Sequence, residues 1–174
     1  FIPLFYYTLL GTALVSGGAA VFNNVHEIQS DSLMNRTKNR PLPTGQISAL
    51  SAILFGSLLS IAGLSILLLF VNLLTFWIGF STLFLYVLVY TPLKKISWSN
   101  TIIGAIPGAL PPLGGWAAAV NELHLMAWIL FMVLFIWQLP HFYAIAWLYK
   151  DDYSKAKLKM LSVMDETGKL TSRQ

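Results

Sequence analysis

Asn23, Glu27 and Asp31 recur at intervals of four near the end of an apolar stretch. Four residues advance an α-helix by about 400°, so the three side chains project from nearly one face. Two carboxylates at i and i+4 repel by roughly 0.2–0.5 kcal/mol. Nothing nearby in the chain neutralises them except Arg36, Lys38 and Arg40, which follow. Such a face fits a solvated helix end and fits a divalent-cation site. Magnesium takes oxygen ligands, usually one or two carboxylates together with substrate phosphates. The interleaved cations suit a metal–phosphate complex, because guanidinium forks match phosphate oxygens; they also suit plain anchoring at a membrane face. The pairing recurs. Asp151 and Asp152 precede Lys155, Lys157 and Lys159, and Lys94 and Lys95 stand in a middle segment.

The elements that must position these groups are written in the composition. Of 174 residues, 56% are hydrophobic and 10% charged, and the mean hydropathy is +0.68; a soluble domain carries about 25% charged residues. This excludes a disordered chain and argues against a soluble one. The absence of cysteine excludes disulfides, thiolate metal sites and a cysteine nucleophile. The eleven Lys/Arg and seven Asp/Glu fall in three blocks, 27–40, 94–95 and 150–173, with Glu122 alone. A helix crosses a bilayer core with about 20 apolar residues. The charge-free stretches therefore hold five spans, at 1–22, 47–70, 73–90, 101–120 and 125–149. Each is apolar all round rather than striped, as a lipid-embedded helix is. The expected fold class is all-α, a polytopic transmembrane helix bundle. The blocks follow spans one, three and five, so all eleven cations and six of the seven acids share one side. The positive-inside rule makes that side the cytoplasm or the mitochondrial matrix. The far side has only short turns at 71–72 and 121–123. The odd span count and the opening inside a span give the expectation of a piece of a larger domain.

Other polar groups lie within the spans. His141 follows Gln138 and Pro140; it fits a helix-packing role, and an ionisable residue in a span is also a functional candidate. Pro140 is expected to kink its helix. Gly104 and Gly108 form a GxxxG packing pattern, and Pro107, Pro111 and Pro112 are expected to break or bend the same span. His26 and His124 read as interfacial.

The run from Asn23 through Glu27, Asp31 and Arg36 to Arg40-Pro-Leu resembles the first acidic motif of UbiA-type intramembrane prenyltransferases. Tyr90-Thr-Pro-Leu-Lys-Lys resembles a loop of that superfamily, and Asp151-Asp152 its second acidic motif. Three stretches resemble the protohaem IX farnesyltransferase (haem O synthase) branch: Met34-Asn-Arg-Thr-Lys-Asn-Arg-Pro-Leu, Trp137-Gln-Leu-Pro-His-Phe and Asp151-Asp-Tyr. The resemblance runs from residue 20 to about 165. It implies a nine-helix fold of which residues 1–174 supply helices two to six, as part of a single domain.

The resemblance also implies chemistry. Mg2+ would bridge the diphosphate of farnesyl diphosphate and the two acidic motifs, through Glu27, Asp31, Asp151 and Asp152, with Asn23 matching the first position. Arg36, Arg40, Lys94 and, sharing its place, Lys95 would bind the diphosphate. His141 would meet the acceptor, haem b. Partners would be the two substrates, the lipid bilayer and a downstream haem A synthase, with no nucleic acid. Glu27 stands where many relatives have Asp, and Lys157-Leu-Lys-Met160 replaces the usual Gly-x-Pro-Met, which leaves that loop's shape open. On the residues alone, a transporter segment or a structural membrane segment stays possible, and within the superfamily so does a quinone- or chlorophyll-pathway acceptor.

Overall fold

Length and apolarity decide the architecture. The computed structural model describes residues 2–165, 167–169 and 171; Glu166 and Arg173 of the third charged block lie outside the described residues. Five helices are long and apolar enough to cross a membrane. They are α1 (Ile2–His26), α3 (Ala49–Phe70), a composite third span over Leu73–Leu93, α6 (Asn100–Val120) and α7 (Leu125–Leu148). Three short helices, α2 (Ile28–Leu33), α8 (Lys150–Lys155) and α9 (Leu161–Met164), sit among the charged loops. The described residues contain no strand. Leu54, Leu58, Ile61, Leu69 and Leu125 are all more than 60% exposed, the outward apolar belt that a bilayer demands.

The turns expected at the far end are built by asparagines. Asn72 Oδ1 accepts the Thr75 N–H at 2.8 Å and caps α4 (Leu73–Phe84). Its Nδ2 donates to the Ala117 carbonyl at 2.8 Å, tying that hairpin to α6. Asn121 ends α6 in the left-handed region, at φ 58°, a conformation asparagine tolerates. Exposed His124 stands 3.1 Å from Glu122.

Small residues let the helices approach. In α1 and α3, Gly11 and Gly18 face Gly56, Ser60 and Gly63 at backbone distance, the close packing that spans use when lipid supplies no hydrophobic drive between them. In α6, Gly104 seats the Tyr90 ring and Gly108 seats the Gln138 carboxamide.

The prolines do not break their spans. α6 runs unbroken through Pro107, Pro111 and Pro112, and α7 through Pro140. Each proline deletes one N–H, and the hydrogen bonds on either side, together with packing of α6 on α4 and α7, hold the span. The irregularity lies elsewhere. Leu85–Tyr90 winds as a π-helix between α4 and α5 (Thr91–Leu93). Pro92 cannot donate to the Leu88 carbonyl and its ring would press on it in an α-turn; a wider turn relieves the contact. The Thr91 N–H and hydroxyl both turn back to the Tyr86 carbonyl.

A Cβ at Gly63 would lie 2.8 Å from the Gly11 carbonyl oxygen and the Val15 nitrogen, both backbone, whereas one at Gly115 meets nothing within 4 Å. Gly63→Val is expected to destabilise the detergent-solubilised chain by about 1–3 kcal/mol, and Gly115→Ala to change it by less than about 0.5 kcal/mol. Thermal unfolding of both variants checks this; equal shifts would contradict the packing described.

Candidate active site at the charged end of the bundle

Asn23, Glu27 and Asp31 project from one helix edge, as their spacing dictates. The ladder continues through Glu27, whose N–H bonds the Asn23 carbonyl at 3.0 Å and whose carbonyl accepts from Asp31 at 2.7 Å. Their side chains face a cavity of about 280 Å³ shared with Arg36, Arg40, Tyr86, Tyr90, Lys94 and Tyr153.

Burial sets the electrostatics. Glu27 is 8% exposed and Asp31 1%, and a carboxylate so placed needs a partner. Glu27 Oε1 accepts from Lys94 Nζ at 2.7 Å and Oε2 from Asn23 Nδ2 at 2.8 Å. Asn23 Oδ1 in turn faces Lys94 Nζ at 3.4 Å and the Thr91 hydroxyl at 3.1 Å. Lys94 Nζ also lies 4.5 Å from the Tyr90 ring centroid. Asp31 Oδ2 accepts from Arg40 Nη1 at 2.8 Å, and the same nitrogen donates to Asn24 Oδ1 at 3.2 Å. Asp31 Oδ1 is buried with no hydrogen-bond partner. One acid–base pair therefore has every carboxylate oxygen satisfied, and the other leaves an acceptor unused in a buried site.

The π-segment helps aim the tyrosines. A four-residue step over-rotates an α-helix by about 40°, and the wider turn before Pro92 offsets that drift, so Tyr86, Tyr90 and Lys94 all reach the cavity. Tyr153 closes it from α8. Burial pushes its phenol up from the ordinary value, while Arg36 and Lys94 pull the other way with less effect. It therefore stays protonated at neutral pH, able to donate to an anion.

The structure brings Asn23, Glu27, Asp31, Arg36, Arg40 and Lys94 to this cavity. Lys95, Asp151 and His141 are exposed and do not line it. His141 stacks on Trp137, with ring centroids 5.1 Å apart. Asp152 accepts two backbone N–H groups of the loop after α2. Among the described residues, no three His, Asp or Glu side chains gather closely enough to hold a metal ion. Tyr86, Tyr153 and Asn24 are cavity residues that the motif reading gave no role. The spacing of four from Tyr86 to Tyr90 to Lys94 is the signal for the first; Asn24 has none.

The loop with the altered motif closes in a defined turn. Lys157 adopts φ 55°, its N–H bonds the Ser154 carbonyl, and the Leu158 N–H bonds the Tyr153 carbonyl, both at 3.0 Å. This is a Schellman cap with lysine where glycine usually stands. Lys157→Gly is expected to stabilise the protein by about 1 kcal/mol by removing left-handed strain, read as a raised Tm; a lowered Tm would contradict this geometry. Lys94→Met strands the Glu27 carboxylate and is expected to cost about 3–5 kcal/mol, while Glu27→Gln/Lys94→Met recovers most of it. Unfolding of the single and double variants checks the coupling, and additive losses would refute it.

Comparison with known proteins shows the family. Residues 1–173 match the UbiA prenyltransferase family. A relative from Solibacter usitatus (strain Ellin6076), named protoheme IX farnesyltransferase, is 49% identical over 168 residues, 97% of this chain and 58% of its own length. Another of that name, from Francisella tularensis subsp. novicida (strain U112), is 46% identical over 164 residues, 94% of this chain and 58% of its own length. The chain thus spans a little over half the length of these curated relatives. The apo structure of a UbiA homolog from Aeropyrum pernix K1 superposes with TM-score 0.73 at 18% identity, covering 94% of this chain and 62% of that one, which shows a common fold. Matched along nearly its whole length, the chain belongs to the UbiA prenyltransferase family.

Proposed function

We propose that the complete protein transfers a farnesyl group from farnesyl diphosphate to a vinyl group of haem b, giving haem O, and that the five spans form part of the single domain that does so. The observation that carries this reading is the cavity itself. Two buried carboxylates, each paired with a cation, line it together with Arg36, at the end of helices whose outer faces are apolar. A transport pathway or a structural anchor needs no such pairing of buried carboxylates with cations. The names of the relatives point to haem b over a quinone or chlorophyll precursor.

Arg36, Arg40 and Lys94 hold the diphosphate, and the Tyr153 hydroxyl donates to it. The unpartnered Asp31 Oδ1 fits a divalent ion, so Asp31 would hold Mg2+; Glu27 would join it by giving up its Lys94 contact to the diphosphate, with Asp151 reaching in from α8 once substrate is present. When bound, the ion shields charge on the departing diphosphate. The allylic C–O bond breaks with its electron pair on that diphosphate, where the cations stabilise it. The vinyl π-electrons of haem b attack the allylic cation. Water then adds at the resulting benzylic-type cation and loses a proton, leaving the hydroxyethylfarnesyl group. Haem O would pass to a haem A synthase. Exposed His141, stacked on Trp137, is the proposed contact for haem b along α7. Lys95 lies beside the site as a peripheral cation. The charged end faces the cytoplasm or the matrix, following the cation bias.

The test is expression of the full-length gene in a host lacking haem O, with pigment analysis. The wild-type chain is expected to restore haem O, and Asp31→Asn to lower its formation at least about 100-fold, equivalent to about 2.7 kcal/mol of lost transition-state stabilisation. Intact haem O formation by Asp31→Asn would refute the reading. Prenylation of 4-hydroxybenzoate in place of haem b would assign the quinone alternative.

A further inference from the structure

We infer that Asp152 is a positioning residue rather than a metal ligand: it holds the backbone of Asn35 and Arg36 so that the Arg36 guanidinium faces the cavity. The inference rests on the reading of the cavity as a diphosphate site. Asp152 Oδ1 accepts the Asn35 N–H at 3.2 Å and Oδ2 accepts the Arg36 N–H at 3.3 Å, across more than a hundred residues of chain. These amides follow α2, whose C-terminal cap, Met34, turns extended at ψ 131°. The chain has left the helix there, so neither amide has an intrahelical carbonyl, and one carboxylate serves both, one oxygen each.

The start of α8 grips the side chain. Tyr149 caps the N-terminus of α8, and its ring centroid lies 4.6 Å from the Arg36 guanidinium carbon. Backbone and side chain of Arg36 are thus held by α8 and by the residue that caps it. About 100° further round, Tyr153 enters the cavity. Asp151 is exposed and makes no hydrogen bond or ion pair among the described residues. The acidic pair therefore divides its work, with Asp152 turned to protein and Asp151 to solvent.

The far end of α8 secures the opposite cation. Beyond its Schellman cap, the Lys159 N–H donates to the Lys94 carbonyl at 2.8 Å. Asn100, fully buried, donates to the Lys159 carbonyl at 2.9 Å. One segment consequently sets where both Arg36 and Lys94 stand, and Asp152 fixes its grip on the Arg36 side.

The test uses the full-length protein in detergent, with hydrogen exchange of the segment 34–40 under chelator and calorimetry of inorganic diphosphate with and without Mg2+. Asp152→Ala is expected to speed exchange in 34–40 about tenfold, Asp152→Asn less because its amide oxygen still accepts, and Asp151→Ala not at all. Asp152→Ala is also expected to weaken diphosphate binding about tenfold with or without Mg2+, and to add little in an Arg36→Ala background. Unchanged exchange, with binding lost only when Mg2+ is present, would overturn the inference and make Asp152 a metal ligand. Should Asp152→Ala not fold, Asp152→Asn carries the same comparison. A wild-type chain that binds diphosphate but transfers no farnesyl group overturns the functional reading alone; one that binds no diphosphate overturns this inference too.

Discussion

Glu27 and Asp31 lie where a helix leaves the apolar layer, and both are nearly removed from solvent. An ionised carboxylate so placed loses several kcal/mol of solvation unless a cation and hydrogen bonds replace water. That requirement draws in Lys94 from the third span and Arg40 from the loop after α2. The loops over the charged end are folded around these two contacts. Lys94 can reach Glu27 only if the third span packs beside α1, and Arg40 can reach Asp31 only if residues 34–40 turn back across the helix end. Buried pairs of this kind add little net stability; what they fix is the position of charge.

The membrane-spanning helices serve that placement. Glycine contacts between α1 and α3 set the depth of the Asn23–Asp31 edge. Gly104 of α6 leaves room for Tyr90, and the π-turn ahead of Pro92 brings Tyr86, Tyr90 and Lys94 to the same cavity. Thr91 then joins this segment to Asn23. Carboxylate, amide, hydroxyl and ammonium form one network across two spans, so displacement of either helix would disturb all of it. Charge held in place this way suits the proposed role, since preorganised donors stabilise developing negative charge without rearrangement during reaction.

Much of this was legible in the sequence because it depends on chain-local quantities. Charge-free stretches of bilayer length gave the five spans within a few residues, and the interval of four put Asn23, Glu27 and Asp31 on one edge. The Asn72 and Asn121 turns were readable as short polar breaks. Contacts between segments were not. No spacing tells that Asp152 turns to the Asn35 and Arg36 amides while its neighbour Asp151 turns to solvent, because that depends on how α8 docks. Proline content left a break in α6 open; neighbouring helices outweigh the loss of single N–H groups, and α6 and α7 run on through their prolines. The π-turn was hidden because it answers a steric contact at Leu88 that the residue types alone do not display. Lys157 adopts a glycine-type turn because the cap's two hydrogen bonds and the packing of Tyr153 and Leu158 outweigh the left-handed strain.

The central claim is that the paired carboxylates and cations form a seat for a diphosphate at the charged end of the bundle. Its most direct test is an electron cryomicroscopy structure of the full-length protein with a thiolo analogue of farnesyl diphosphate, which resists ionisation, and Mg2+. The expected density places phosphorus within about 4 Å of the Lys94 ammonium and the Arg36 guanidinium, the range of a charge-assisted contact. Phosphate density elsewhere, with the Glu27–Lys94 and Asp31–Arg40 pairs closed and unaltered, would contradict it.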